Sequence, residues 1–371
     1  MKKILGSNGL LSVAIAGVLA YQLVRTIRFL LGFPVSFHLV YAAYYAAALR
    51  VSKGISPYTY TPTAYPGQWL YPPLLAFLLS PLVRFGFATF DHIWMSLSLL
   101  LVLILGLLIA MSDQGNIALR AGLYSLIGLI FLPTQYELLY GEVDVLVLVL
   151  CIVGSLILRK RGLSMGSAIM LGIGGAIKIY PLLGGLAYIN KHKYLIVPMF
   201  ITFSLLTIVP FLWIGGFGSF AVFFHTITLL GNRGDLGCTD ISLIGALSTL
   251  GFRVKHIVYL LYAICVLVIL LSGVYFISNT SSFVAKTSIA LSLSSLVVVQ
   301  GHLYDPFMML PLILSAVGSI TRRIRPLPIV LMAMGFLPFL SNPCQSFSTN
   351  FVWVTAEVVL FYSCCYQLMG E

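Results

Sequence analysis

Long apolar runs recur along the whole of this chain, and they decide what it can fold into. Sixty per cent of the 371 residues are hydrophobic and 8% are charged. Lipid offers the backbone no hydrogen-bond partners, so a spanning segment is a helix of about 20 apolar residues or a strand of a closed barrel. The runs lack the alternation of apolar and polar residues that is typical of barrel strands. The sequence therefore predicts an all-α polytopic membrane protein.

About ten to twelve transmembrane helices are expected, in a single domain that spans residues 1–371. Two long connections, at about 33–69 and 216–255, are expected to be external loops that carry short interfacial helices. The candidate crossings lie at about 8–30, 71–87, 93–111, 118–133, 143–158, 164–189, 194–215, 256–277, 282–300, 304–320, 327–340 and 351–368.

One of these crossings, 164–189, is flanked by basic residues at both ends. Because cytoplasmic ends carry the excess of Lys and Arg, both ends should lie on the same side. We therefore expect a hairpin or a broken helix that turns near Lys178–Pro181. Broken helices are tolerated at membrane depth where they line a water-filled cavity.

The net charge of +11 would suggest nucleic-acid binding in a soluble protein. Here the basic residues gather at the ends of apolar runs, which is the positive-inside pattern, so we expect membrane lipids and no nucleic acid as partners. This pattern places 134–144 and 301–305 on the external side. Arg25 and Arg28, inside the first apolar run, weaken the case for a cytoplasmic N-terminus.

Three of the ten acidic residues, Glu137, Glu142 and Asp144, fall in one short stretch between two apolar runs. A carboxylate at bilayer depth costs roughly 2.5–3.5 kcal/mol, so such residues tend to be functional. We expect a loop here that, with the start of the next helix, forms part of a catalytic site. Residues two apart on a helix point about 200° apart, which favours Asp144 as the catalytic carboxylate, with Glu142 and Glu137 as alternatives. The other interpretation is that acids complement the dipole at a helix N-terminus.

Four polar residues elsewhere are candidate substrate ligands. Lys178 is a lone cation in an apolar segment, suited either to a phosphate or to snorkelling towards the interface. His302 and Asp305 share the predicted external face, where they would bind substrate or close a loop by hydrogen bonds. Arg233 is a second candidate phosphate ligand, or a solvated loop residue.

Aromatic side chains crowd the predicted first external loop, and Tyr44, Tyr58 and Tyr71 are candidate sugar-stacking residues. Tyr and Trp also form belts at every membrane interface, which would account for most of them. The acids show no tight Asp-x-Asp pair, so neither a metal nor another cofactor is expected.

Several short motifs resemble those of the C-type membrane glycosyltransferases, and most closely those of glycosyltransferase family 87. The order of the motifs matches the family over roughly residues 40–315. The matching segments are Gly54-x-x-Pro57-Tyr58, Tyr71-Pro72-Pro73, Gly141-Glu142-Val143-Asp144 for the family's Gly-Gln-x-Asn, Lys178-Ile-Tyr-Pro181 for its Lys-x-x-Pro, and Gly301-His302-Leu-Tyr304-Asp305.

This resemblance implies transfer of a hexose, mannose in the characterised branch, from a polyprenyl-phosphate donor to a lipid, glycan or protein acceptor. The reaction would take place outside the cell membrane, without a nucleotide sugar and without a metal. The sequence departs from the family at Val40, where the family carries an Asp, and no acid precedes Asp91. Either the carboxylate role has moved to Glu142 or Asp144, or the chain is an inactive relative. A transporter or flippase of a lipid-linked substrate is the alternative from another class.

Overall fold

A computed structural model gives the fold of most of the chain. It describes residues 7–32, 39–58, 69–113, 115–158, 164–230, 242–243, 246–247, 255–297, 302, 305–320, 325–340 and 347–369. The α-helices within these ranges are α1 (Ser7–Gly32), α2 (Leu39–Ser52), α3 (Leu74–Leu79), α4 (Phe87–Ser112), α5 (Ile117–Ile130), α6 (Leu132–Tyr140), α7 (Asp144–Leu158), α8 (Ser164–Ile177), α9 (Ile196–Ile208), α10 (Gly216–Leu230), α11 (Lys255–Asn279), α12 (Phe283–Val297), α13 (Leu310–Ile320), α14 (Pro326–Phe336) and α15 (Phe347–Leu368).

The predicted all-α polytopic class is confirmed. Five described helices are long and apolar enough to cross a membrane, and the pair α5 and α6, bent by 72°, would make a sixth. Several other predicted crossings, such as 143–158 and 282–300, correspond to shorter apolar helices of 10–17 residues.

The segment at 164–189 is broken and folds back on itself, as its flanking basic residues predict. Helix α8 ends at Ile177, and a 3₁₀ helix follows over Tyr180–Tyr188. Pro181 lacks a backbone N–H and cannot continue an α-helix. A Cβ on Gly175 would lie 2.6 Å from the Leu182 side chain, and one on Gly184 would lie 2.7 Å from that of Leu171. The two arms are therefore antiparallel, and Lys178 lies at the tip of the hairpin.

The chain divides into two compact units built from interleaved segments. The first unit comprises Met1–Gly32, Leu101–Tyr136 and Leu236–Glu371, and the second comprises Phe33–Leu100 and Glu137–Asp235. In the first unit α1 packs on α5, and α15 packs on α12, α13 and α14.

In the second unit α7, α8 and α9 pack in sequence, and α2 packs on α3. Helices α8 and α9 approach closely because Gly172 has no side chain: a Cβ there would lie 2.7 Å from the Met199 carbonyl oxygen. Helix α2 was expected in the interface plane, but most of it is buried, including Tyr41, Tyr44 and Ala47. The first long connection thus contributes to the interior of this unit.

Candidate active site

The acidic stretch forms a helix and a tight turn, so the prediction of a loop over these residues was wrong. Helix α6 ends at Tyr140, and Gly141 then adopts a left-handed φ of +77°. The N–H groups of Gly141 and Glu142 both donate to the Glu137 carbonyl oxygen, at 3.0 and 3.1 Å. A Cβ on Gly141 would lie 2.2 Å from the Tyr41 ring, so the turn accepts only glycine.

The turn brings Glu142 and Asp144 towards one point. Asp144 is the first residue of α7, whereas Glu142 precedes that helix. The helical spacing that would point them about 200° apart therefore does not apply. The Lys178 ammonium lies 2.6 Å from Asp144 Oδ1 and 3.6 Å from Glu142 Oε2.

Lys178 is the accessible member of this group. Its side chain is 17% exposed, while those of Glu142 and Asp144 are 2% and 1% exposed. The Tyr180 hydroxyl also donates to Asp144 Oδ1, at 2.9 Å. The ammonium lies 5.4 Å from the centroid of the Tyr71 ring and 5.5 Å from that of Tyr180, within the range of cation–π attraction. A ligand that approaches the buried carboxylates therefore first contacts the Lys178 ammonium, which has the rings of Tyr71 and Tyr180 beside it.

Glu142 is held through one of its two oxygens. Its Oε2 accepts hydrogen bonds from the Tyr71 hydroxyl at 2.8 Å and from the Tyr44 hydroxyl at 3.2 Å. Its Oε1 accepts no hydrogen bond from the described residues. Glu142 therefore has a fixed orientation and one oxygen available to a ligand.

Glu137 is fully buried and faces the start of α7. Its Oε1 accepts a hydrogen bond from the Val145 N–H at 3.2 Å, which satisfies one of the free amides in the first turn of that helix. Its Oε2 has no hydrogen-bond partner among the described residues. This geometry agrees with the helix-dipole interpretation for Glu137 better than with a catalytic role.

An aromatic cluster packs behind the carboxylates. The Tyr44 ring contacts Trp69, Tyr71 and Trp94 edge-on, with centroids 5.5, 5.8 and 5.9 Å apart. Tyr44, Trp69 and Trp94 are at most 3% exposed. Tyr44 and Trp69, from the predicted first external loop, are thus buried and not exposed as belt residues would be, and with Trp94 they support the site from within.

Tyr58 supports the site indirectly. Its hydroxyl donates to the Tyr71 carbonyl oxygen at 2.8 Å, and its ring stacks on Phe211 at 5.8 Å. Tyr58 is 2% exposed, so it holds the backbone of Tyr71 in place. A role for Tyr58 in stacking on a sugar stays a prediction.

Comparison with known families decides what kind of protein carries this cluster. The family model of glycosyltransferase family 87 matches residues 69–299, more than half of the chain. The chain belongs to glycosyltransferase family 87. No curated protein matches it. The protein is thus an integral-membrane glycosyltransferase, and the match includes Gly141–Asp144 and Lys178–Pro181.

Two of the remaining predicted ligands of this family 87 glycosyltransferase belong to the other compact unit. His302 and Asp305 belong to the first unit, where the Asp305 carboxylate accepts the His302 N–H at 2.7 Å and fixes the start of a 3₁₀ helix. Arg233 lies outside the described residues. No group of three or more His, Cys, Asp or Glu residues that could hold a metal occurs within the described part of the chain.

Two residues of the site were not predicted from the sequence of this family 87 member. Tyr180 could have been found, because it lies inside the Lys178–Pro181 motif. Trp94 donates its Nε1–H to the Gly141 carbonyl oxygen at 2.9 Å and so fixes the turn before Glu142. No sequence signal distinguishes Trp94 from the other residues of the apolar run in which it lies.

Proposed function

We propose that this glycosyltransferase moves a hexose, in the first instance mannose, from a polyprenyl-phosphate donor to a hydroxyl group of a lipid, glycan or protein. The observation that carries the proposal is the position of Lys178, a partly exposed cation 2.6 Å from one buried carboxylate and 3.6 Å from another. Such a group suits a donor whose leaving group is an anion and whose acceptor must lose a proton.

Lys178 would bind the donor phosphate. In the transfer, the bond between the anomeric carbon and the phosphate oxygen breaks, and a bond from that carbon to the acceptor oxygen forms. The polyprenyl phosphate that leaves gains negative charge, which a fixed ammonium stabilises in a water-poor site. The phosphate would compete with Asp144 for Lys178, so donor binding would also release the Asp144 carboxylate.

Glu142 is the better candidate for the base that takes the acceptor proton. A general base must come within hydrogen-bond reach of that proton, and the Glu142 Oε1 is available while Oε2 is anchored by two phenols. Asp144, which the sequence favours, lies 2.6 Å from the Lys178 ammonium, compared with 3.6 Å for Glu142, so its charge is the more strongly compensated. It remains the second candidate, active once Lys178 turns to the phosphate.

The departure at Val40 supports a relocated carboxylate. Val40 lies in α2, one helical turn before Tyr44, whose hydroxyl bonds to Glu142. Residues four apart share a helix face. The position where the family carries an Asp therefore lies on the same face of α2 as the tyrosine that binds Glu142.

The position of Lys178 at the tip of the hairpin supports the proposal that the reaction takes place on the external side of the plasma membrane. Basic residues flank both ends of the segment, and the positive-inside rule predicts that those ends are cytoplasmic. Helix α8 has 14 residues, so the tip at Lys178 lies about 21 Å from its start. That distance would place the ammonium in the outer half of a bilayer core about 30 Å thick.

Transfer can be tested with the purified protein in lipid nanodiscs, radiolabelled polyprenyl-phosphate mannose or glucose, and a membrane extract as acceptor. The account expects transfer by the wild type and a loss of about 10²–10⁴-fold in Glu142→Gln, the range for a general base. Glu357→Gln, which alters a buried carboxylate of the first unit, is the matched control and should retain transfer.

Other outcomes would decide against the proposal. Tight donor binding without transfer by the wild type would favour the flippase or an inactive relative. Full activity of both Glu142→Gln and Asp144→Asn would show that neither carboxylate is the base. A protein that neither binds nor transfers from these donors would overturn the assignment of the donor class.

A further inference from the structure

Two arginines in α1 are unusual for a membrane helix. Arg25 and Arg28 lie within the apolar span Leu11–Gly32, and both are exposed. Neither forms a hydrogen bond or an ion pair with any described residue. The site proposed for glycosyl transfer does not involve them, so their presence needs another explanation.

The packing of α1 fixes the direction in which these side chains point. The opposite face of the helix is buried, with Gln22, Thr26 and Leu30 at most 5% exposed. Gln22 Nε2 donates to the Leu129 carbonyl oxygen of α5 at 3.4 Å. Rotation of α1 that buried the arginines would expose this polar contact. The arginines therefore face away from the first unit.

The surroundings of the two arginines are apolar. Tyr21, one turn before Arg25, is 70% exposed, and Val24 and Leu31 are 48% and 59% exposed. At 100° per residue, Tyr21, Arg25 and Arg28 lie within about 60° of one another, so they form one stripe along the helix. We call these three residues the α1 stripe. A stripe of two cations and a phenol amid apolar residues matches a charged headgroup above a hydrocarbon chain.

The position of the stripe along the helix agrees with this match. Arg28 and Arg25 precede the helix end at Gly32 by four and seven residues, or about 6 and 10 Å. Long cationic side chains at such depths extend to the interface. Residues three apart on a helix have Cβ atoms about 5–6 Å apart, so both guanidinium groups can reach one phosphate.

We propose that the α1 stripe binds the phosphate of an anionic phospholipid in the leaflet next to Gly32. Arg25 and Arg28 hold the phosphate, and the acyl chain lies along Tyr21 towards Val18. Charge complementarity favours an anionic lipid over a zwitterionic one, because basic residues near a membrane surface are attracted to anionic headgroups. The exposed apolar residues on both sides favour a lipid over a soluble anion. This inference does not depend on the proposed donor or base.

The test is native mass spectrometry of the full-length protein, delipidated in detergent and titrated with phosphatidylglycerol or phosphatidylcholine. Arg25→Gln/Arg28→Gln should weaken phosphatidylglycerol binding by about 25-fold, since 1 kcal/mol per residue is about fivefold each. Lys191→Gln/Lys193→Gln removes the same charge from an exposed loop of the second unit and should change binding by less than about threefold.

Each remaining outcome decides the question. Equal losses in the two double variants would show a net-charge effect and overturn the site. Unchanged binding in Arg25→Gln/Arg28→Gln, or equal affinity of the wild type for phosphatidylcholine, would also overturn it. Arg25→Lys/Arg28→Lys keeps the charge without the planar guanidinium, so binding intermediate between wild type and the Gln variant would support a phosphate held by both arginines. Thermal unfolding of each variant identifies any that fail to fold.

Discussion

Each unit contains a cluster of a carboxylate, a cation and a tyrosine, and the two clusters differ in what surrounds the charge. In the first unit Asp113 pairs with Arg120 Nη1 at 3.3 Å and accepts a hydrogen bond from the Tyr124 hydroxyl. In the second unit Lys178 lies between Glu142 and Asp144. The cations have similar exposure, 14% for the Arg120 side chain and 17% for that of Lys178. Exposure therefore does not separate a structural pair from a candidate site.

Charge balance and sequence distance do separate them. The first cluster pairs one acid with one cation over seven residues, across the turn between α4 and α5. The second has two acids around one cation, and its contacts join residues 34 to 98 positions apart. We call Asp113 and Arg120 the balanced pair, and Glu142, Asp144 and Lys178 the unbalanced cluster. The balanced pair stabilises the turn between α4 and α5. An excess of buried acid, held by partners from distant segments, costs folding energy and needs another explanation. Substrate binding would explain the excess of buried acid.

After Glu142→Gln, the largest effect is expected at Lys178, the cation of the second cluster. Lys178→Gln should lower kcat/KM for a polyprenyl-phosphate donor by about 10–100-fold, since a hydrogen bond to a charged group contributes about 1.5–3 kcal/mol. Lys178→Arg should retain part of the activity. Arg120→Gln, at the balanced pair, should leave kcat/KM of the folded protein unchanged. Steady-state kinetics at varied donor concentration measures this, and an equal loss in Lys178→Gln and Arg120→Gln would remove the distinction.

A smaller effect, on stability, is expected at the balanced pair. Asp113→Asn leaves Arg120 without its carboxylate, and breaking a buried pair costs 3–5 kcal/mol. Because Arg120 is partly exposed and can reach water, we expect a loss of about 2 kcal/mol. Thermal unfolding in nanodiscs should show a lower Tm with kcat intact. A loss of transfer without a change in Tm would instead give this pair a functional role.

The smallest effect is expected at the phenols that orient Glu142. Tyr71→Phe removes one of two hydrogen bonds to Oε2, and Tyr44 retains the other, so kcat should fall about fivefold, or about 1 kcal/mol. Tyr45→Phe is the control, because that hydroxyl donates to the Val83 carbonyl oxygen at 3.3 Å. Identical kcat values for the two variants would mean that the orientation of Glu142 does not limit the reaction.

The sequence predicted those features of the fold that depend on local chemistry. Apolar runs predicted the helical membrane class, and the basic flanks together with Pro181 predicted the hairpin that turns at Lys178. The motif order predicted the family. Each of these follows from hydropathy, from proline geometry or from short patterns, so no knowledge of distant contacts was required.

The arrangement of the candidate site could not be predicted in the same way. The relation of Glu142 to Asp144 depends on a left-handed Gly141, a backbone state that helical spacing does not reveal. The anchoring of Glu142 by Tyr44 joins residues 98 positions apart. The two units also interleave segments of the chain, and periodicity carries no information about which segments meet. Long-range pairing, more than local structure, is what the sequence left open.

The central claim is that the donor phosphate binds to Lys178. The most direct test is whether a polyprenyl phosphate protects this lysine from modification. Amine acetylation can be measured at each lysine by mass spectrometry, with and without polyprenyl phosphate at ten times its Kd. Mass action predicts that acetylation of Lys178 slows about tenfold, while Lys53, exposed in the same unit, is unaffected. Acetylation of Lys178 at the same rate with saturating polyprenyl phosphate would contradict the account.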